Sequence, residues 1–118
     1  MSGIGDVTMD AVEYALGGVA MRSQVRADNI ANANTPGFVA STVEFEDALA
    51  SALGGGNPEG APAPTVTSAG GTPDETGNTV SLEHEMVGGV EDGLMYTTLV
   101  QGFRFKLEVL RAAIGARS

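Results

Sequence analysis

The chain of 118 residues has no cysteine and no tryptophan, and only two tyrosines and four phenylalanines. Without cysteine there is neither a disulfide framework nor a thiolate zinc site. With so few large aromatic side chains, little material is available for a compact core. No run approaches the ~18 apolar residues of a membrane span. The start of the chain lacks a basic stretch followed by an apolar one, so no cleavable signal peptide is expected. Bases are scarce too: 6 against 15 acids, a formal net charge of −9. That argues against a nucleic-acid partner, which calls for a basic face, and against an anionic membrane surface. Residues 35–80 hold six acids and no base at all.

What is present divides into a helical start, a loose middle and a helical end. In residues 1–34, Val12, Leu16, Val19, Ser23, Ala27, Ile30 and Asn34 recur three or four apart, a narrow helical seam of coiled-coil type. Asp6 is a candidate cap for this helix. Gly17 and Gly18 weaken it by roughly 1 kcal/mol each relative to Ala, and let another backbone approach. Tyr14, Met21 and Val25 form a second apolar line with no evident partner inside the chain.

The helix is expected to stop at Asn34, because Pro36 disfavours the α conformation at Thr35. Pro36-Gly37 suits the centre of a type II turn: proline fixes φ, and glycine accepts φ > 0. Residues 35–53 then read as this turn, an extended piece and a short helix in which Phe45, Leu49 and Leu53 recur every four. In residues 54–80, 11 of 27 positions are Gly or Pro. Such a segment buries too little surface to offset its ordering entropy, so a flexible loop is expected. Residues 81–118 form the clearest helix. Ser81 is placed to cap it. Met86, Tyr96, Val100, Phe103, Leu107, Leu110 and Ile114 follow one line, completed upstream by Gly89 or Val90 and by Gly93. Met95, Leu99 and Val109 form a second line. The fold class expected is therefore mostly α: long N- and C-terminal helices paired as a coiled-coil-like hairpin around an irregular Gly/Pro-rich middle. The second lines imply packing against other chains.

No constellation for catalysis stands out. The single histidine, His84, has Gly88 one turn on, so no second metal ligand stands beside it, and no metal or cofactor is expected. No phosphate-binding glycine loop and no activated nucleophile is present. The acids Glu91 and Asp92 read as a wet helix face. Gly89 and Gly93, four apart, read as a place where a neighbouring helix packs closely.

The run RADNIANANTPGF, residues 26–38, resembles the N-terminal signature of bacterial flagellar axial proteins, in which an NIANxxTPG segment ends the first helix. It contributes Asn29, Ile30, Ala31, Asn32, Asn34, Thr35, Pro36, Gly37 and Phe38, the last where the family more often has Tyr. GNTVSLEHEM, residues 77–86, resembles the lead-in to the C-terminal helix of the FlgB proximal-rod family of flagellar basal bodies, as does the ending KLEVLRAAIG. The nearest rival is the FlgC rod family, whose pattern after the equivalent of Tyr96 differs from Thr97-Thr98. A soluble helical adaptor is the alternative from another class. The resemblance implies a structural subunit, not an enzyme. It implies export through the flagellar type III apparatus and polymerisation with itself and other rod proteins. It also implies contact with the adaptor that joins rod to membrane ring, on the periplasmic side of the inner membrane, with no membrane insertion of its own. The helix-pairing and assembly positions implied are Val12, Leu16, Val19 and Ile30 against Met86, Tyr96, Val100, Phe103, Leu107, Leu110 and Ile114.

Within the turn, Gly37 is expected to be the least replaceable residue, since a β-branched side chain resists φ > 0. Gly37→Val is expected to abolish swimming in a motility assay. Unimpaired motility would remove the type II turn.

Overall fold

The computed structural model describes residues 4–55 and 60–116, with side chains from residue 9 onward. Part of the Gly/Pro-rich segment, residues 56–59, lies outside the described residues, as do residues 117–118 of the C-terminal region. The order is α1 (Ile4–Ala31), β1 (Ser41–Glu44), α2 (Glu46–Gly54), β2 (Thr65–Ser68) and α3 (Leu82–Ala116). The molecule is mostly helical and elongated, 67 × 25 × 14 Å, with α1 and α3 paired antiparallel. No described helix is long and apolar enough to cross a membrane.

Helix α1 begins at Ile4, upstream of the cap assigned to Asp6, and ends three residues before Asn34. The Asn32 side chain donates to the Asp28 carbonyl at 2.8 Å, while its backbone N–H is shared between the carbonyls of Asp28 and Asn29. Asparagine thus competes with the helix for its own carbonyls and closes it early. The turn follows: Gly37 has φ +75°, and the Phe38 N–H donates to the Thr35 carbonyl at 3.2 Å. A positive φ at the third residue is the type II geometry.

The middle of the chain is more regular than its composition suggests. β2 falls within residues 54–80 and pairs antiparallel with β1, with Val43 opposite Val66 and Ser41 opposite Ser68. Strand pairing supplies the backbone partners that a free Gly/Pro-rich loop would take from water. The short helix expected over residues 45–53 is α2, whose first turn carries Glu46 and Asp47, where the helix dipole favours acids.

A small core lies between α1 and this middle segment. Ala15 and Val19 of α1 meet Val43 and Phe45, with Tyr14, Val25, Leu49 and Leu99 around them. The Phe45 ring sits so close to Gly18 that a Cβ there would lie 2.5 Å from ring carbons. Tyr14 meets that ring edge-on, centroids 6.2 Å apart. The line Tyr14, Met21, Val25 therefore has a partner in the chain after all, since the segment after the turn folds back over Tyr14 and Val25. Met21 is left 37% exposed.

Phe45 fills the largest part of this core. Phe45→Ala is expected to destabilise the chain by about 3 kcal/mol, lowering the thermal midpoint of its helical circular-dichroism signal.

Candidate functional site

The two sequence motifs, about fifty residues apart along the chain, meet at one end of the helix pair. Asn29 is 1% exposed and uses its whole amide. Its Nδ2 donates to the Ser41 carbonyl at 2.8 Å and to Glu85 Oε2 at 2.7 Å, and its Oδ1 accepts the Ser41 N–H at 3.0 Å. One side chain thereby joins α1, β1 and α3. Asn78 does the complementary work from the other motif. Its Nδ2 donates to the carbonyls of Asn32 and Thr35 at 2.9 and 2.8 Å. These lie just past the end of α1, where carbonyls have lost their helical partners. Its Oδ1 accepts the Val80 N–H.

Asn78 is itself held by a turn centred on Asp74. The Asp74 carboxylate accepts the Thr76 hydroxyl and backbone N–H, both at 2.7 Å, and the Asn78 N–H at 3.1 Å. The Thr76 hydroxyl foremost, with these backbone N–H groups, holds the Asp74 carboxyl below the usual carboxylate range. Backbone bonds from Gly37 to Thr76 and from Thr79 to Phe38 complete the stitching of the two segments.

Further along the helices the contact is ionic. Arg22 donates from Nη2 and Nε to Asp92 at 2.8 and 3.1 Å, and from Nη1 to Glu46 at 2.9 Å. Arg26 donates to Asp92 at 2.8 Å and to Glu85 at 3.1 Å. The Arg22 guanidinium also lies over the Phe45 ring, 4.9 Å from its centroid. Burial alone would lower the Arg22 pKa, but hydrogen bonds and charge attraction from Asp92 and Glu46 outweigh it, and the net shift is upward. Burial likewise pushes the Asp92 carboxyl up, and the two arginines pull it below its ordinary value. Asp92 and Glu85, each 5% exposed, are thus buried ion-pair partners. Asp92 is not part of a wet face, because the bases that answer it lie seventy and sixty-six residues away, where sequence neighbours give no sign of them.

The close-approach glycine is Gly88. A Cβ there would lie 2.3 Å from the Arg26 guanidinium carbon, whereas Gly89 and Gly93 have nothing within 4 Å of such an atom.

The expected pairing positions are distributed around this contact. Val19 is buried; Val12, Leu16, Val100, Phe103 and Leu107 are half-buried. Ile30, Met86, Tyr96, Leu110 and Ile114 are exposed, from 44% at Ile30 and Leu110 to 68% at Ile114. Of the motif residues, Asn29 is buried, Asn32 and Phe38 are half-buried, and Ala31, Asn34, Thr35, Pro36 and Gly37 are exposed. The two apolar lines meet beside the ionic contact, where Val19, Ser23, Ala27 and Ile30 face Gly89, Gly93 and Tyr96 across an open groove of about 570 Å³. Among the described residues no group of three or more His, Asp and Glu side chains is placed to hold a metal ion. Sequence reasoning missed Arg22, Arg26, Glu85, Asp92 and Asn78. The available signal was that α1 has only two bases, one turn apart, and that acids seven apart flank Gly88.

This geometry defines a structural class: a helix pair joined at one end by buried polar side chains. Residues 21–38, the end of α1 and its turn, match the model of the family described as flagella basal body rod protein. The match covers 18 of the 118 residues and is a likeness of that segment. No curated protein gives a match.

Because the Asp92 pKa is depressed in the folded chain, its contribution to stability is complete above the ordinary aspartate value and is lost as pH falls through the folded one. Below about pH 4 the helical signal of the native chain is expected to decline. In Asp92→Asn that part of the acid dependence is expected to be absent, with lower stability at neutral pH. An acid titration by circular dichroism that is identical for the two chains would contradict the pairing.

Proposed function

We propose that the chain is a structural subunit of the flagellar basal-body rod, of the FlgB proximal-rod class. It polymerises helically into the drive shaft that carries torque and encloses the export channel. The observation that carries this reading is the direct contact between the two motifs. Residues matching the rod family end α1, and Asn78 and Glu85 of the second motif bind that same end. The exposed apolar stripe of α3 supports it further, since Leu110 is 44% and Ile114 68% exposed. Its partners on this reading are further copies, other rod proteins, the rod-to-ring adaptor and the type III export apparatus. The site of assembly is the periplasmic side of the inner membrane.

The runner-up is a FlgC-like subunit of the same rod, distinguished by locating the chain in isolated basal bodies. A soluble adaptor for one partner helix is the other reading, favoured by the open groove between α1 and α3. Deleting the gene is expected to abolish flagella and swimming, and a deletion strain with intact filaments would overturn the rod reading. Phe103→Asp and Leu107→Asp place a charge on the α3 stripe outside the ionic contact. Each is expected to block rod assembly in electron micrographs of basal bodies while leaving the helical signal of the purified chain. Intact rods would mean that this stripe is not an assembly face.

A further inference from the structure

Arg22 and Arg26 are the only bases of α1, and both turn into the contact with α3. Facing them, Glu85, Gly88 and Asp92 are the buried residues of α3. Residue 22 meets 92, 26 meets 88, and 29 meets 85, so one antiparallel alignment satisfies every pair. No described buried side-chain nitrogen or oxygen lacks a partner in that alignment.

Other alignments fail on charge and on size. Sliding α3 by one turn in one direction sets Asp92 against Gly18 and the Phe45 ring, with no base opposite. Sliding it the other way sets Arg22 against Tyr96 and carries Glu85 past the end of α1. Either slip breaks pairs that the observed alignment makes: in the first Asp92 moves two turns from Arg26, and in the second Glu85 leaves both Arg26 and Asn29, so buried charged groups lose partners. A Cβ opposite Arg26 would also displace its guanidinium from the place it now holds, and one turn either way that position is His84 or Asp92. Apolar contacts carry no such discrimination, because burial is non-directional. The small residues Ala20, Ser23 and Ala27 against Gly89 and Gly93 would accept several registers.

We infer that the buried network of Arg22, Arg26, Asn29, Glu85 and Asp92 sets the register of α1 against α3, and that helix pairing without its charges survives but loses a single alignment. The network acts as a specificity code between the two helices: bases at 22 and 26 and an amide at 29 read acids at 85 and 92 around Gly88.

The chain has no cysteine, so cysteines placed at exposed Gln24 and Val90 carry spin labels without background. Pulsed electron–electron distance measurement on the full chain is expected to give one narrow distance. In the variant Arg22→Met, Arg26→Met, Glu85→Met, Asp92→Leu, helix content is expected to persist while the distance splits or broadens, each turn of slip moving the labels by about 5.4 Å along the axis. The same single distance in that variant overturns the inference, as does the absence of a single distance in the native chain. If the fourfold variant loses its helices, Glu85→Gln with Asp92→Asn keeps side-chain shape and is read by the same rule. Broadening then supports the register role, and an unchanged narrow distance removes it.

Discussion

A carboxylate buried between two helices must be answered by a base, and the arrangement around Asp92 follows from that requirement. Arg22 and Arg26 both reach it, which fixes the face that α1 turns to α3. Arg22 then has Nη1 free for Glu46, which holds the start of α2, and its guanidinium lies on Phe45. Arg26 reaches on to Glu85, and Glu85 to Asn29 and so to Ser41 of β1. One connected set of polar groups therefore orients α1, β1, α2 and α3 together. The small apolar core around Phe45 completes the attachment of the middle segment.

Because the buried residues of α3 are Glu85, Gly88 and Asp92, most of its apolar residues, Leu99 against the core apart, are left for other uses. The lines that begin at Val12 and at Met86 do not press directly on each other at their centre; they border a common groove. Beyond it, α3 continues with Val100, Phe103, Leu107, Leu110 and Ile114 on the same line, increasingly exposed toward the end. A hairpin held by ion pairs and sided with apolar stripes is a component suited to lateral packing.

Helix existence, the turn at Pro36-Gly37 and the short helix after Phe45 were legible in the sequence, because they rest on local rules of spacing, proline geometry and positive φ. The two motifs were legible as resemblances, but their mutual contact was not, since Asn78 finds its acceptors more than forty residues away. Hydrophobic periodicity drew an apolar stripe on each helix and suggested that the two seal the pair. It could not reveal that Arg22 and Asp92 occupy the contact, because a charged residue in a sequence reads as solvated until its partner is seen. β2 was hidden for a similar reason. Thr65–Ser68 is an unremarkable tetrapeptide whose strand conformation depends on β1.

The most direct measurement is a structure of basal bodies isolated from cells that make this chain, with each rod subunit traced. The rod reading predicts the chain in the rod, α1 and α3 paired through Arg22, Arg26, Glu85 and Asp92, and the stripe from Phe103 to Ile114 covered by neighbouring subunits. A chain located outside the rod, or a rod-bound chain whose stripe faces open solvent, would contradict it.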